Sequence, residues 1–102
     1  MAIFGQFDLA SATNTLVATA PAQGATVNVL LCNRTTNTIA VSVGIVPFGG
    51  SLTVVSWIEY QTPVDGNQIL ERGGIPLASG DMVYVNPTAT GMSCSVVGAL
   101  GS

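Results

Sequence analysis

Seven charged side chains limit the chemistry open to this 102-residue chain: the acids Asp8, Glu59, Asp65, Glu71 and Asp81, and the cations Arg34 and Arg72. The chain has no histidine and no lysine, which removes Ser-His and Cys-His nucleophile pairs, Schiff bases and Ser-Lys arrangements. A carboxylate pair is the remaining acid-base route. Glu59 and Glu71 would have to flank a sugar at the separation a glycosidase needs. With so few acids and no cleft-forming insertion, a non-enzymatic role is the expectation. Asp65-Gly66-Asn67 has some likeness to a calcium loop but lacks the alternating acids and the downstream bidentate glutamate. A turn is expected there, and neither a metal nor another cofactor.

The other distinctive residues point to contacts. Either arginine could pair with Glu59, Glu71 or Asp81. Exposed to water, such a pair is worth less than about 1 kcal/mol; at a subunit contact, a bidentate pair fixes register. Trp57 and Tyr60, with Tyr84, could form a platform for a glycan, but packing in a core or an interface is the preferred reading. Trp57, Glu59, Tyr60, Glu71, Arg72 and Arg34 are therefore the candidate subunit or partner contacts. Cys32 and Cys94 have no metal-ligand spacing and are expected as free thiols in a reducing cytosol. They would face each other only if an early strand and the final one pair in space. Asn33-Arg34-Thr35 matches a glycosylation sequon, which has no consequence without secretion.

The elements that position these residues are strands. Ala25 to Cys32 alternates, with Val27, Val29 and Leu31 on one face, and Ile39, Val41, Val43 and Ile45 alternate after the polar Asn33-Arg34-Thr35-Thr36-Asn37. The two runs read as a hairpin. Thr13 to Thr19 reads as a strand closed by the turn Pro21-Ala22-Gln23-Gly24, and residues 1–12 as an N-terminal arm or edge strand. Pro47 to Ser51 breaks the pattern before Leu52 to Trp57 re-enters a strand or loop. From Trp57 to Val85, strand-like runs alternate with turns, which makes Gly66, Gly73, Gly74, Gly80 and Asp81 the turn-defining residues. Met92 to Val97 is the last strand and 98–102 an irregular tail. No twelve-residue window has helical period. The expectation is all-β: a single-domain antiparallel β-sandwich or small jelly-roll-like barrel, burying about 65% of its unfolded surface.

Charge is scarce. Charged residues make up 7% of the chain, against about 25% in ordinary domains, and exposed strand edges cannot carry the lysines that discourage unwanted pairing. Neighbouring subunits are expected to cover those edges. Two cations exclude binding to a phosphate backbone, hence no nucleic acid. The apolar runs are too short to span a bilayer and MAIFGQFDLASATN has no basic leader, hence no membrane and no export.

VNVLLCNRTTNTIAVSVGIVP, then WIEY, then ILERGGIPLASGDMVYV, together resemble the small accessory virion proteins of tailed bacteriophages. Glu71, Arg72, Gly73, Gly74, Gly80 and Asp81 match the recurring motif, and Trp57, Ile58, Glu59 and Tyr60 the strand before it. The resemblance covers about Thr15 to Val97. It implies an oligomeric β-sandwich attached to the capsid, neck or tail of a virion assembled in the bacterial cytoplasm. The leading expectation is a decoration or cement protein that binds the major capsid protein as a homo-oligomer, a trimer above all. A neck or tail component and a carbohydrate- or receptor-binding module at a fibre tip are the alternatives.

Overall fold

Period-two alternation of apolar residues writes eight strands into the computed structural model, which describes residues 2–101. They are β1 (Ala2–Asp8), β2 (Thr15–Thr19), β3 (Ala25–Asn33), β4 (Ile39–Val46), β5 (Trp57–Val64), β6 (Ile69–Leu77), β7 (Met82–Pro87) and β8 (Met92–Leu100), with one 3-10 turn, Val54–Ser56. The strands form two four-stranded sheets, a first ordered β1-β8-β3-β6 and a second ordered β2-β7-β4-β5. Every pairing is antiparallel. The all-β sandwich expected from the sequence is the fold of this chain.

The connectivity has a simple logic. β1 pairs β8, β2 pairs β7, β3 pairs β6 and β4 pairs β5, as in one long antiparallel ribbon whose tip lies between β4 and β5. The ribbon passes from sheet to sheet three times, and β3 against β8 and β4 against β7 close the roll. This is jelly-roll connectivity. The ribbon stays hydrogen-bonded through each crossing. Leu9 N–H donates to Met92 O (3.0 Å) at the first, Ala20 N–H to Asp81 O (2.8 Å) at the second, and Asn33 N–H to Gln68 O (3.0 Å) at the third.

The core lies between the sheets. Val27, Val29 and Leu31 of β3 meet Ile39, Val41 and Val43 of β4, Val83 and Val85 of β7, and Met92, Cys94 and Val96 of β8, all buried. Burying such a side chain contributes about 1.5–3 kcal/mol before entropy is subtracted.

The third crossing is held by a buried side chain. Asn33 is fully buried, and its Nδ2 donates to the carbonyls of Asn37 (2.7 Å), Val64 (2.9 Å) and Asp65 (3.3 Å). Its Oδ1 accepts from Thr35 N–H (2.9 Å) and Thr35 Oγ1 (2.7 Å). One amide therefore binds both segments that cross together, 33–38 and 64–68. They approach so closely that a Cβ on Gly66 would lie 2.5 Å from the Thr36 carbonyl.

Several expectations are corrected. β3 and β4 are not a hairpin: they lie in different sheets, because β3 spends its backbone groups on β6 and β8. Gly73 and Gly74 do not define a turn. They lie inside β6, where Val27 opposes Ile75 and Val29 opposes Arg72, so both glycines face Asn28 alone in a bulge. Gly74 takes the positive φ (67°), and its N–H donates to Asn28 Oδ1 at 2.9 Å. The tail is not irregular from Gly98: β8 runs on to Leu100, and Ser102 lies outside the described residues. Residues 2–8 are an edge strand, and β2 begins at Thr15 rather than Thr13.

Asn33→Ala should lower stability by about 2–3 kcal/mol, because the buried Val64 carbonyl loses its donor and the part-buried carbonyls of Asn37 and Asp65 lose theirs. Urea unfolding should show the whole transition moving to lower denaturant; an unchanged midpoint would contradict the role given to this amide.

Candidate functional site

The charged residues are dispersed, and the fold explains where each goes. The bulge in β6 shifts the strand's alternation by one residue, so Arg72 shares the core-facing side with its partner Val29 while Glu71, opposite Leu30, points to the outside of the first sheet. Glu59 on β5 stands opposite the core residue Val43. β5 and β6 are the edge strands on the same side of the sandwich, and Arg72 Nη1 meets Glu59 Oε2 there at 3.3 Å. Thr62 Oγ1 donates to the other Glu59 oxygen at 2.8 Å. The ion pair bridges the two sheets at their open edge, while Glu59 and Glu71 are directed to different faces and do not converge.

Arg34 pairs with Asp8 instead of the three acids expected, tying the end of β3 to the edge strand β1 across β8. Asp81 builds a turn: its carboxylate accepts from Ala78 N–H (2.9 Å) and Phe48 N–H (3.2 Å), beside Gly80 at φ 81°. Asp65 accepts from Thr38 Oγ1 at 3.3 Å. Among the described residues no cluster of three or more His, Cys, Asp or Glu side chains could hold a metal, no pocket opens, and no helix is long and apolar enough to cross a membrane.

The aromatic residues do come together. Leu16 on β2 opposes Tyr84 on β7, Tyr84 opposes Gly44 on β4, and Gly44 opposes Trp57 on β5. Laterally paired residues share a face, so this row crosses the outer side of the second sheet. Trp57 lies over Gly44: a Cβ there would sit 3.0 Å from the indole and 3.1 Å from Leu52. Trp57 is thus half-buried on the outside of a sheet and not in the core. Tyr60 is 65% exposed with its ring 6.3 Å from that of Trp57, tilted by 48°. Beside them the ribbon's tip holds Val54 and Val55, each 87% exposed, in a 3-10 turn closed by Ser56 N–H to Thr53 O (3.0 Å) and Thr53 N–H to Ser56 Oγ (3.0 Å). The sequence pointed to Trp57, Tyr60 and Tyr84. Leu16 joins them only through register, which alternation within one strand does not reveal.

Cys32 and Cys94 lie on neighbouring strands, but Leu31 opposes Cys94 and Cys32 opposes Ser93, which puts the thiols on opposite faces of the first sheet. Both are free. Burial pushes the Cys94 thiol up from its ordinary 9.0 to about 12. The folded state thus holds this proton more tightly than the unfolded chain. The stabilisation is complete below about pH 9 and is lost as pH rises toward 12.

Two outcomes follow. Iodoacetamide on the native protein should modify exposed Cys32 and spare Cys94 until the chain unfolds; equal modification would contradict the placement of Cys94. A double-mutant cycle on Arg72→Ala and Glu59→Ala should give a coupling below about 1 kcal/mol, since the arginine side chain is 47% exposed and water screens the pair; a value of several kcal/mol would contradict that.

No family model, curated protein or solved structure matches this chain.

Proposed function

We propose that this chain is a non-enzymatic structural protein of a bacteriophage virion, a decoration or cement component that binds the capsid shell as a homo-oligomer. The observation that carries the contact role is the uncharged row Leu16–Tyr84–Gly44–Trp57 with exposed Tyr60 beside it, since aromatic residues and few charges mark the centre of protein interfaces. The virion assignment draws on the resemblance of the WIEY and ILERGGIPLASGDMVYV segments. The jelly roll also serves viral capsid and lectin domains, which is an analogy of fold and not of function. Sparse charge agrees with a surface covered in an assembly, and the lack of histidine and lysine argues against enzymatic chemistry.

On a shell, such a module would bridge adjacent subunits so that separating them exposes additional apolar area. A collar on the neck or tail would use the same contacts. The glycan-binding alternative has Trp57 and Tyr60 in its favour, but rings tilted by 48° do not make a flat platform for a sugar.

Cryo-electron microscopy of the source particle, with the chain identified by mass spectrometry, should show density repeated over the shell lattice. Density confined to the neck or tail would reassign it there, and a particle lacking the chain would overturn the reading.

A further inference from the structure

Of the surfaces on which copies of this chain could meet, the strand edges and the outer face of the first sheet are poor. All register shifts fall in the pairings made by the edge strands: β1 with β8, β2 with β7, β6 with β3, and β5 with β4. The central pairings β3 with β8 and β4 with β7 run without interruption. Bulges twist an edge out of line with an incoming strand, and Pro63 in β5 and Pro76 in β6 remove backbone donors from the two edges that flank the open side. Edge-to-edge pairing of copies is thereby discouraged. The outer face of the first sheet carries exposed Ile69, but on the same face as Glu71 and the Asp8–Arg34 pair, so two copies meeting there would bring like charges together.

The second sheet's outer face is different in charge and sufficient in size. None of the seven charged side chains lies on it. Asp8, Arg34 and Glu71 belong to the first sheet, Glu59 and Arg72 bridge the open edge, and Asp65 and Asp81 sit in the turns at opposite ends of β6. For a chain of net charge −3, this is the face on which two copies can meet without opposing like charges, and a charged partner finds no complement there. The molecule extends 41 × 29 × 18 Å, the thin direction being that of two stacked sheets. A broad face of this size accommodates the roughly 800 Å² per partner of a stable interface.

The geometry points to a second copy of this chain as the occupant: an isologous, two-fold contact in which the Leu16–Tyr84–Trp57 row of one copy packs on that of the other, with Tyr60, Val54 and Val55 at its margin. This rests on the reading of that face as a contact surface and fixes its partner. The contact is face to face, so it closes at two subunits and not at the three expected from the sequence.

Sedimentation equilibrium of the purified full chain at about 10 µM, a concentration at which a standard-sized interface is populated, should give twice the 10.3 kDa monomer mass. Leu16→Asp, at an exposed edge-strand position, should weaken dimerisation at least about tenfold while circular dichroism stays that of the folded sheet; Tyr60→Asp provides a second variant should the first not fold. Glu71→Lys on the other face should leave the mass unchanged. A monomer, a trimer, or a dimer indifferent to both aspartate variants would overturn the inference. The virion reading is judged separately, by the presence of the chain in the particle.

Discussion

The jelly roll depends on a ribbon that must change sheets without losing its pairing, and the third of these crossings is organised by the amide of Asn33. Its carboxamide is buried, donates to three carbonyls from two segments and accepts twice from Thr35. Leaving the buried amide or the buried Val64 carbonyl unpaired would cost about 1–3 kcal/mol, so the corner has few alternative arrangements. The corner sets where β4 and β5 emerge in the second sheet, and hence that Gly44 and Trp57 fall in line with Tyr84 and Leu16. It also explains an incidental motif. Asn33-Arg34-Thr35 has the form of a sequon because Thr35 closes the asparagine's hydrogen bonds, and the Nδ2 that a glycan would need is occupied.

The management of edges follows from the same ribbon. A roll of this kind leaves β1, β2, β5 and β6 as edges, and a chain without lysine cannot guard them with ammonium groups. Bulges and prolines do so instead, and one bulge serves a second purpose. Gly73 and Gly74 opposite Asn28 shift the phase of β6 so that Leu70 packs on the core and Arg72 reaches Glu59 across the open edge. With the edges blunted and the charges placed elsewhere, the outer face of the second sheet is the broad face free of ionic groups.

Much of the fold is legible in the sequence because alternation is local. Val27, Val29 and Leu31, and then Met92, Cys94 and Val96, declare their inward faces without any partner in view. Which strands pair is not local, and the apparent hairpin of β3 and β4 shows why: a short polar connection between two apolar runs fits a turn or a crossing equally well, and only the burial of Asn33 decides. The Gly73-Gly74 pair was ambiguous for a similar reason, since positive φ serves bulges as well as turns. Of the candidate contacts, Trp57 and Tyr60 converge, Glu59 and Arg72 pair with each other, and Arg34 and Glu71 lie apart from them on the first sheet.

The proposed contact surface of this chain is the outer face of the second sheet. Hydroxyl-radical footprinting of the assembled and the dilute protein tests it side chain by side chain. Trp57, Tyr60 and Tyr84 should lose reactivity on assembly while Cys32, exposed on the first sheet, keeps it. Unchanged labelling of the three aromatics with protection of Cys32 would place the contact on the opposite side of the molecule and overturn the proposed surface.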